Sequence, residues 1–185
     1  MTARIAPVSQ PYPEFAQEPL ARLSSPEGDP LVLFTTLATD RRLFERFFGG
    51  GLLDRGQLTL RQREIVIDRV TARCGSEYEW GVHVSVFAEK AGLTREQIVS
   101  THAGGPEDGC WSAEESCLVR LVDRIDAGCR LDDADWSDGL RYFTPQAVLE
   151  ILMLCGYYRT VSYVTGGLDL PLEPWAARFA QYGTS

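Results

Sequence analysis

Residues 58–83 of this chain read LTLRQREIVIDRVTARCGSEYEWGVH, and the fold is decided there. Thr59 stands three residues before Gln62, the spacing at which a side-chain oxygen caps a helix start while the glutamine reaches back. The helix so begun has apolar residues throughout and meets a stop at Gly75. Ser76 and Glu79 repeat the same spacing at once, predicting a second helix that ends at Gly92. A connection this short turns the second helix back along the first, so residues 58–83 predict an antiparallel helical hairpin.

The same punctuation continues outward. DRRLFERFF, residues 40–48, carries Leu43, Phe44, Phe47 and Phe48 on one helical stripe and stops at Gly49. Thr94 with Gln97, and Ser112 with Glu115, open two further capping boxes, each followed by a glycine stop. Thr144 and Pro145 begin a long apolar helix, and the acidic run at Asp132, Asp133 and Asp135 has the charge expected of a helix start. No stretch alternates with period two. The expected fold is therefore all-α, a compact multi-helix bundle of roughly seven or eight helices around the hairpin. Residues 1–12, interrupted by Pro7 and Pro11, read as an extended arm. Residues 13–185 form a single domain, whose tail packs back through Trp175 and Phe179 or reaches a neighbouring subunit.

Composition narrows the function. A net charge of −8 and a pI near 4.8 argue against gripping nucleic acid or anionic lipid through bulk charge. No apolar run approaches the roughly 20 residues of a membrane span. The opening MTARIAPVSQPYPEF lacks the apolar core of a secretion signal, so a cytoplasmic location is expected. Cys74, Cys110, Cys117, Cys129 and Cys155 are scattered, never C-x-x-C, and read as packing or surface thiols.

At about 100° per residue, Glu64, Ile67, Asp68 and Thr71 share one face of the first hairpin helix. Ser76, Glu79, Trp80, His83 and Phe87 lie along one side of the second. Facing one another, these stripes bring an acid from one helix to an acid and an imidazole from the other, beside aromatic rings. A partly apolar pocket with a few convergent ionisable groups is the usual form of a small-molecule site. His102, just before a glycine stop, suits the negative end of its helix. Glu79 and His83 alone offer no third metal ligand, so no metal is expected.

Residues 58–83, followed by AGLTREQI at 91–98, resemble the carboxymuconolactone decarboxylase and AhpD-like superfamily. The resemblance runs over roughly residues 40–165 and takes in Trp111, Glu115, Leu118 and Asp123. It implies an all-helical domain assembled as a homo-oligomer, a trimer or hexamer, with its active site in the hairpin. The peroxidase branch of the superfamily resembles E-x11-C-x-x-C-x3-H. Here the glutamate and histidine positions are kept as Glu64 and His83, but the cysteine positions read Ser76 and Glu79. Cys74 stands two residues too early and has no partner three residues on, so the attacking and resolving sulfurs are both missing.

An acid–base set remains, and the decarboxylase branch resembles it more closely. The expected catalytic residues are His83, Glu64 and Glu79, with Ser76, Trp80 and Phe87 as substrate-binding residues. They would serve a cofactor-independent lyase or isomerase acting on a small carboxylated or lactone-type molecule. The alternatives are a non-catalytic small-molecule binder or scaffold, and a thiol-dependent peroxidase. Ser76 and Glu79 also have the plainer reading of a helix capping box.

Overall fold

The computed structural model describes residues 3–23, 25 and 27–183. Residues 1 and 2 of the expected arm, and 24, 26, 184 and 185 of the expected domain, lie outside the described residues. Nine α-helices are present among the described residues, in the order α1 (Glu14–Arg22), α2 (Val32–Leu37), α3 (Arg41–Gly50), α4 (Leu60–Arg73), α5 (Glu77–Phe87), α6 (Arg95–Ala103), α7 (Ala113–Gly128), α8 (Asp133–Gly139) and α9 (Pro145–Gly167). A 3₁₀ turn at Phe179–Tyr182 closes the chain, and no strand forms among these residues. The fold is all-α, as the pattern of caps and stops predicts.

Helix α4 is the axis of the molecule. Every residue from Glu64 to Thr71 is buried, the state expected of a helix that meets neighbours on all sides. Those neighbours are α5, α6, α7 and α9. The capping boxes at Thr59, Thr94 and Ser112 form as read, and so does one at Asp132 with Asp135. Thr144 caps α9 with Pro145 in its first turn. The box expected at Ser76 does not form: its side chain makes no cap hydrogen bond and instead pairs with Thr165 of α9 at 3.0 Å. Helix α5 also ends at Phe87, before the expected stop. Residues 88–92 turn instead, and Gly92 takes the left-handed conformation at φ +66°, which favours glycine.

The Trp111, Glu115, Leu118 and Asp123 block braces α4 and α6. Arg69 donates to both carboxylate oxygens of Asp123 at 2.7 and 2.8 Å, and its remaining donors reach the carbonyls of Ser100, Thr101 and Gly104 at the end of α6. Arg61 bonds Glu115 at 2.6 Å, Trp111 donates to the Ser100 hydroxyl at 2.8 Å, and Leu118 is fully buried.

Besides α5, helices α1 and α2 have no side-chain cap of their own. Helix α1 carries Pro19 within it and no side-chain cap. The six residues of α2 are capped from afar: Val32 N–H donates to the Glu173 carboxylate at 2.6 Å and Leu33 N–H to the Tyr78 hydroxyl at 3.0 Å. Residues 3–12 of the expected arm are non-helical but anchored, with Arg4 N–H on the Leu168 carbonyl and Val8 N–H on the Thr35 carbonyl. The tail packs back, Phe179 lying 4.8 Å from Trp80 between ring centroids.

Candidate functional site

Helices α4 and α5 bring Glu64 and His83 together. Glu64 Oε2 lies 2.8 Å from His83 Nδ1, and both side chains are sealed, at 0% and 5% exposure. On the other edge of the ring, Nε2 faces Glu79 Oε1 at 3.5 Å. Arg63 donates from Nε to Glu64 Oε1 at 3.3 Å and from its guanidinium to the Leu53 carbonyl at 2.8 Å. A chain Arg63–Glu64–His83–Glu79 thus alternates in sign through the protein.

Burial alone would discharge the imidazolium. Glu64, by charge and hydrogen bond, and then Glu79 outweigh that desolvation and raise the His83 pKa to about 10. His83 is therefore a proton carrier at neutral pH, its Nδ1–H directed at Glu64 and its Nε2–H available on the Glu79 side.

Glu79 and His83 form part of the wall of a cavity of about 710 Å³. The rest of that wall is largely ring and aliphatic: Phe34 of α2, Phe47 and Phe48 of α3, Phe87 of α5, Tyr157 and Tyr158 of α9, and Trp175 of the tail. Tyr158 stands edge-on to the imidazole, centroids 5.1 Å apart, and Phe87 lies against it at 5.2 Å. Burial first, then the Glu79 charge, push the Tyr158 phenol well above its usual range, so it stays protonated.

Two residues expected to bind substrate do not line this cavity. Ser76 points to Thr165, and Trp80 is turned to the opposite side of α5. There it donates to the Thr101 hydroxyl at 3.0 Å and packs on His102 and Phe179. The cause is angular. Trp80 sits about 60° round the helix from His83 in one sense, and Glu79 about 40° in the other. The cavity takes the Glu79 side and the tail takes the Trp80 side. Phe87 is in the cavity wall. His102 donates from Nε2–H to the Tyr182 carbonyl, 3.0 Å away, and so holds the tail.

Asp68, one turn beyond Glu64, lies on the same helix face, and the sequence pattern assigns it no role. Only 1% exposed, it has neither carboxyl oxygen in a hydrogen bond. Burial and then the Glu64 charge push its pKa well above the ordinary 3.8 and so favour the uncharged acid, against the opposing pull of His83. Among the described residues no three His, Cys, Asp or Glu side chains gather so as to hold a metal ion, and no helix is long and apolar enough to cross a membrane. All five thiols are free; burial raises the pKa of Cys74 and takes that of Cys155 to about 12.

Residues 41–120 match the carboxymuconolactone decarboxylase family. No curated protein sequence matches the chain. Among solved structures, a cysteine-to-alanine variant of the debrominase Bmp8 in complex with 2,3,4-tribromopyrrole superposes with a TM-score of 0.77 at 15% identity, covering 95% of this chain and 94% of that one. An uncharacterised peroxidase-related protein from Silicibacter sp. TM1040 gives 0.77 at 13% identity, covering 95% and 92%. A protein of unknown function from Agrobacterium tumefaciens, named for the antioxidant defence protein AhpD, gives 0.63 at 16% identity, covering 73% and 93%. At these identities the likeness is one of fold. The segment from α3 into α7 is thus similar to the carboxymuconolactone decarboxylase family, and the chain shares the all-α fold of these solved structures.

Proposed function

We propose that the protein is a cofactor-independent acid–base enzyme, a lyase or isomerase of small carbonyl- or lactone-type molecules. The observation that carries this reading is the sealed 2.8 Å contact between Glu64 and His83 at the wall of the cavity. It keeps a proton on an imidazole beside a space large enough for a small organic molecule.

In an isomerisation, the Glu79 carboxylate accepts a proton from the carbon next to the substrate carbonyl, leaving an enolate. His83 Nε2–H then delivers a proton to the far carbon of the conjugated system, its own positive charge stabilising the enolate until then. Glu79 is left protonated and His83 neutral, and the 3.5 Å between Oε1 and Nε2 lets one proton pass back and restore both. In a decarboxylation the carbon–carboxylate electron pair becomes the enolate, carbon dioxide leaves, and the proton from His83 is replaced from solvent. Glu64 holds Nδ1–H throughout and supports the charged ring.

The debrominase neighbour, held with a brominated pyrrole, supports the fold's capacity to take a small ring compound. A thiol peroxidase finds less support, because serine and glutamate stand where the two sulfurs would be and burial disfavours the thiolates of Cys74 and Cys155. The test is solvent-deuterium incorporation and double-bond migration in a panel of β,γ-unsaturated butenolides. His83→Ala and Glu64→Gln should lower the rate by roughly 100-fold or more while leaving the fold intact. Folded variants with full turnover would remove the reading.

A further inference from the structure

The cavity wall carries information about charge. Its rings come from α2, α3, α5, α9 and the tail, so most of what a ligand would touch is apolar. The cations near it are already engaged. Arg22, at the mouth, is 75% exposed along its side chain and bonded to Glu18. Arg63 lies behind the wall, spent on Glu64 and the Leu53 carbonyl. His83 is flanked by a carboxylate on each ring nitrogen. Arg63 and His83 therefore balance Glu64 and Glu79, leaving no surplus positive charge to neutralise an entering anion.

One group in the wall is unsatisfied. Glu79 is 6% exposed; its Oε1 faces His83, and its buried Oε2 has no hydrogen-bond partner. A buried carboxylate oxygen left unpaired is costly, and a donor on a bound molecule would remove that cost.

We propose, resting on the acid–base reading of the same cavity, that its substrate is an uncharged, largely apolar ring or enone bearing one N–H or O–H donor, which the Glu79 carboxylate accepts, and that carboxylates are excluded. The donor fixes the ring beside His83 Nε2, and the aromatic wall supplies the rest of the binding. An anion would bury an uncompensated negative charge against Glu79. This selects the carbonyl or lactone part of the expected substrate range over the carboxylated part, and with it isomerisation over decarboxylation.

The test is calorimetric binding of three matched probes at pH 7: 2-naphthol, neutral with a donor; 2-methoxynaphthalene, neutral without one; and 2-naphthoate, an anion. The wild-type chain should bind 2-naphthol about tenfold or more tightly than either of the others. Glu79→Leu should bring 2-naphthol down to the level of 2-methoxynaphthalene while the latter is held or improved. Should that variant not fold, Glu79→Gln removes the charge at constant shape and should raise 2-naphthoate affinity toward that of 2-naphthol. Equal binding of the naphthol and its methyl ether, preference for the naphthoate, or no binding of any probe would each overturn the proposal. Because the readout is binding, it can fail while His83→Ala still abolishes turnover, and it can succeed while that variant stays fully active, so the two readings fall separately.

Discussion

Glu64 Oε2 and His83 Nδ1 meet at 2.8 Å across the α4–α5 interface, with both side chains buried. The pair makes the ionisation of His83 depend on a residue from another helix. The chain has two histidines, so nitrogen-detected magnetic resonance can follow each ring. His83 should remain protonated through neutral pH and titrate near 10. Glu64→Gln keeps the shape but removes the charge, so burial then dominates and the His83 pKa should fall by at least about two units. A wild-type ring that titrates near 6.5 would show that the carboxylate does not hold its proton.

The same shift has a thermodynamic sign. The folded-state pKa of His83 is raised above its ordinary 6.5, so the folded chain binds that proton more tightly than the unfolded chain. The stability it contributes is fully present below about pH 6.5 and is lost as pH rises toward 10. Urea midpoints should therefore fall across that window, and His83→Gln should flatten the fall while costing stability at neutral pH. An unchanged slope in the variant would place the pH dependence elsewhere.

Asp68 contributes with the same sign, in a window that opens at its ordinary 3.8. Its folded-state pKa is raised well above 3.8, so its favourable contribution is present in acid and is lost as pH climbs above that value. Both oxygens are buried without partners, the arrangement in which an apolar replacement of similar size stabilises. Asp68→Leu should raise stability at pH 7 by roughly 1–3 kcal/mol, measured by urea unfolding. A loss of stability instead would mean that Asp68 has a partner in solution.

Ser76 and Thr165 join α5 to α9 through their hydroxyls at 3.0 Å. Replacing either by alanine should cost about 0.5–1.5 kcal/mol, and the double variant should cost less than the sum, because one bond is lost in both. Additive losses would mean that Ser76 acts on its own helix end.

The hairpin was legible because its signals are local. Cap, apolar run and glycine stop all lie within one helix length, and the Glu64 and His83 faces follow from the 3.6-residue period. What escaped depends on distant residues. Helix α2 takes its caps from Tyr78 and Glu173, 45 and 141 residues along the chain, so no window around Val32 could show it. Ser76 has the spacing of a capping box, but Thr165 competes for its hydroxyl. Trp80 and Glu79 are adjacent in sequence and lie to either side of His83; the choice of which faces the cavity was made by the tail and by α6. Asp68 carried a signal that could have been used: an ionisable residue inside a run buried on every side needs either a partner or a function.

The tail's grip on α5 depends on Gly81. The Ala177 N–H donates to the Gly81 carbonyl and to the Ser85 hydroxyl, and Phe179 N–H donates to the Glu77 carboxylate. A Cβ at position 81 would collide with the Ala177 carbonyl oxygen, a backbone atom that cannot rotate away. Alanine would otherwise favour the helix by about 1 kcal/mol, so the two effects oppose each other and the collision should win. Gly81→Ala should free residues beyond Leu170, speeding their proteolysis and lowering the unfolding midpoint. Trp175 belongs to both the tail and the cavity wall, so 2-naphthol binding should weaken with it, although Glu64, Glu79 and His83 are untouched. A variant that is more stable, resists proteolysis and binds as before would show that the tail does not press on α5 this closely.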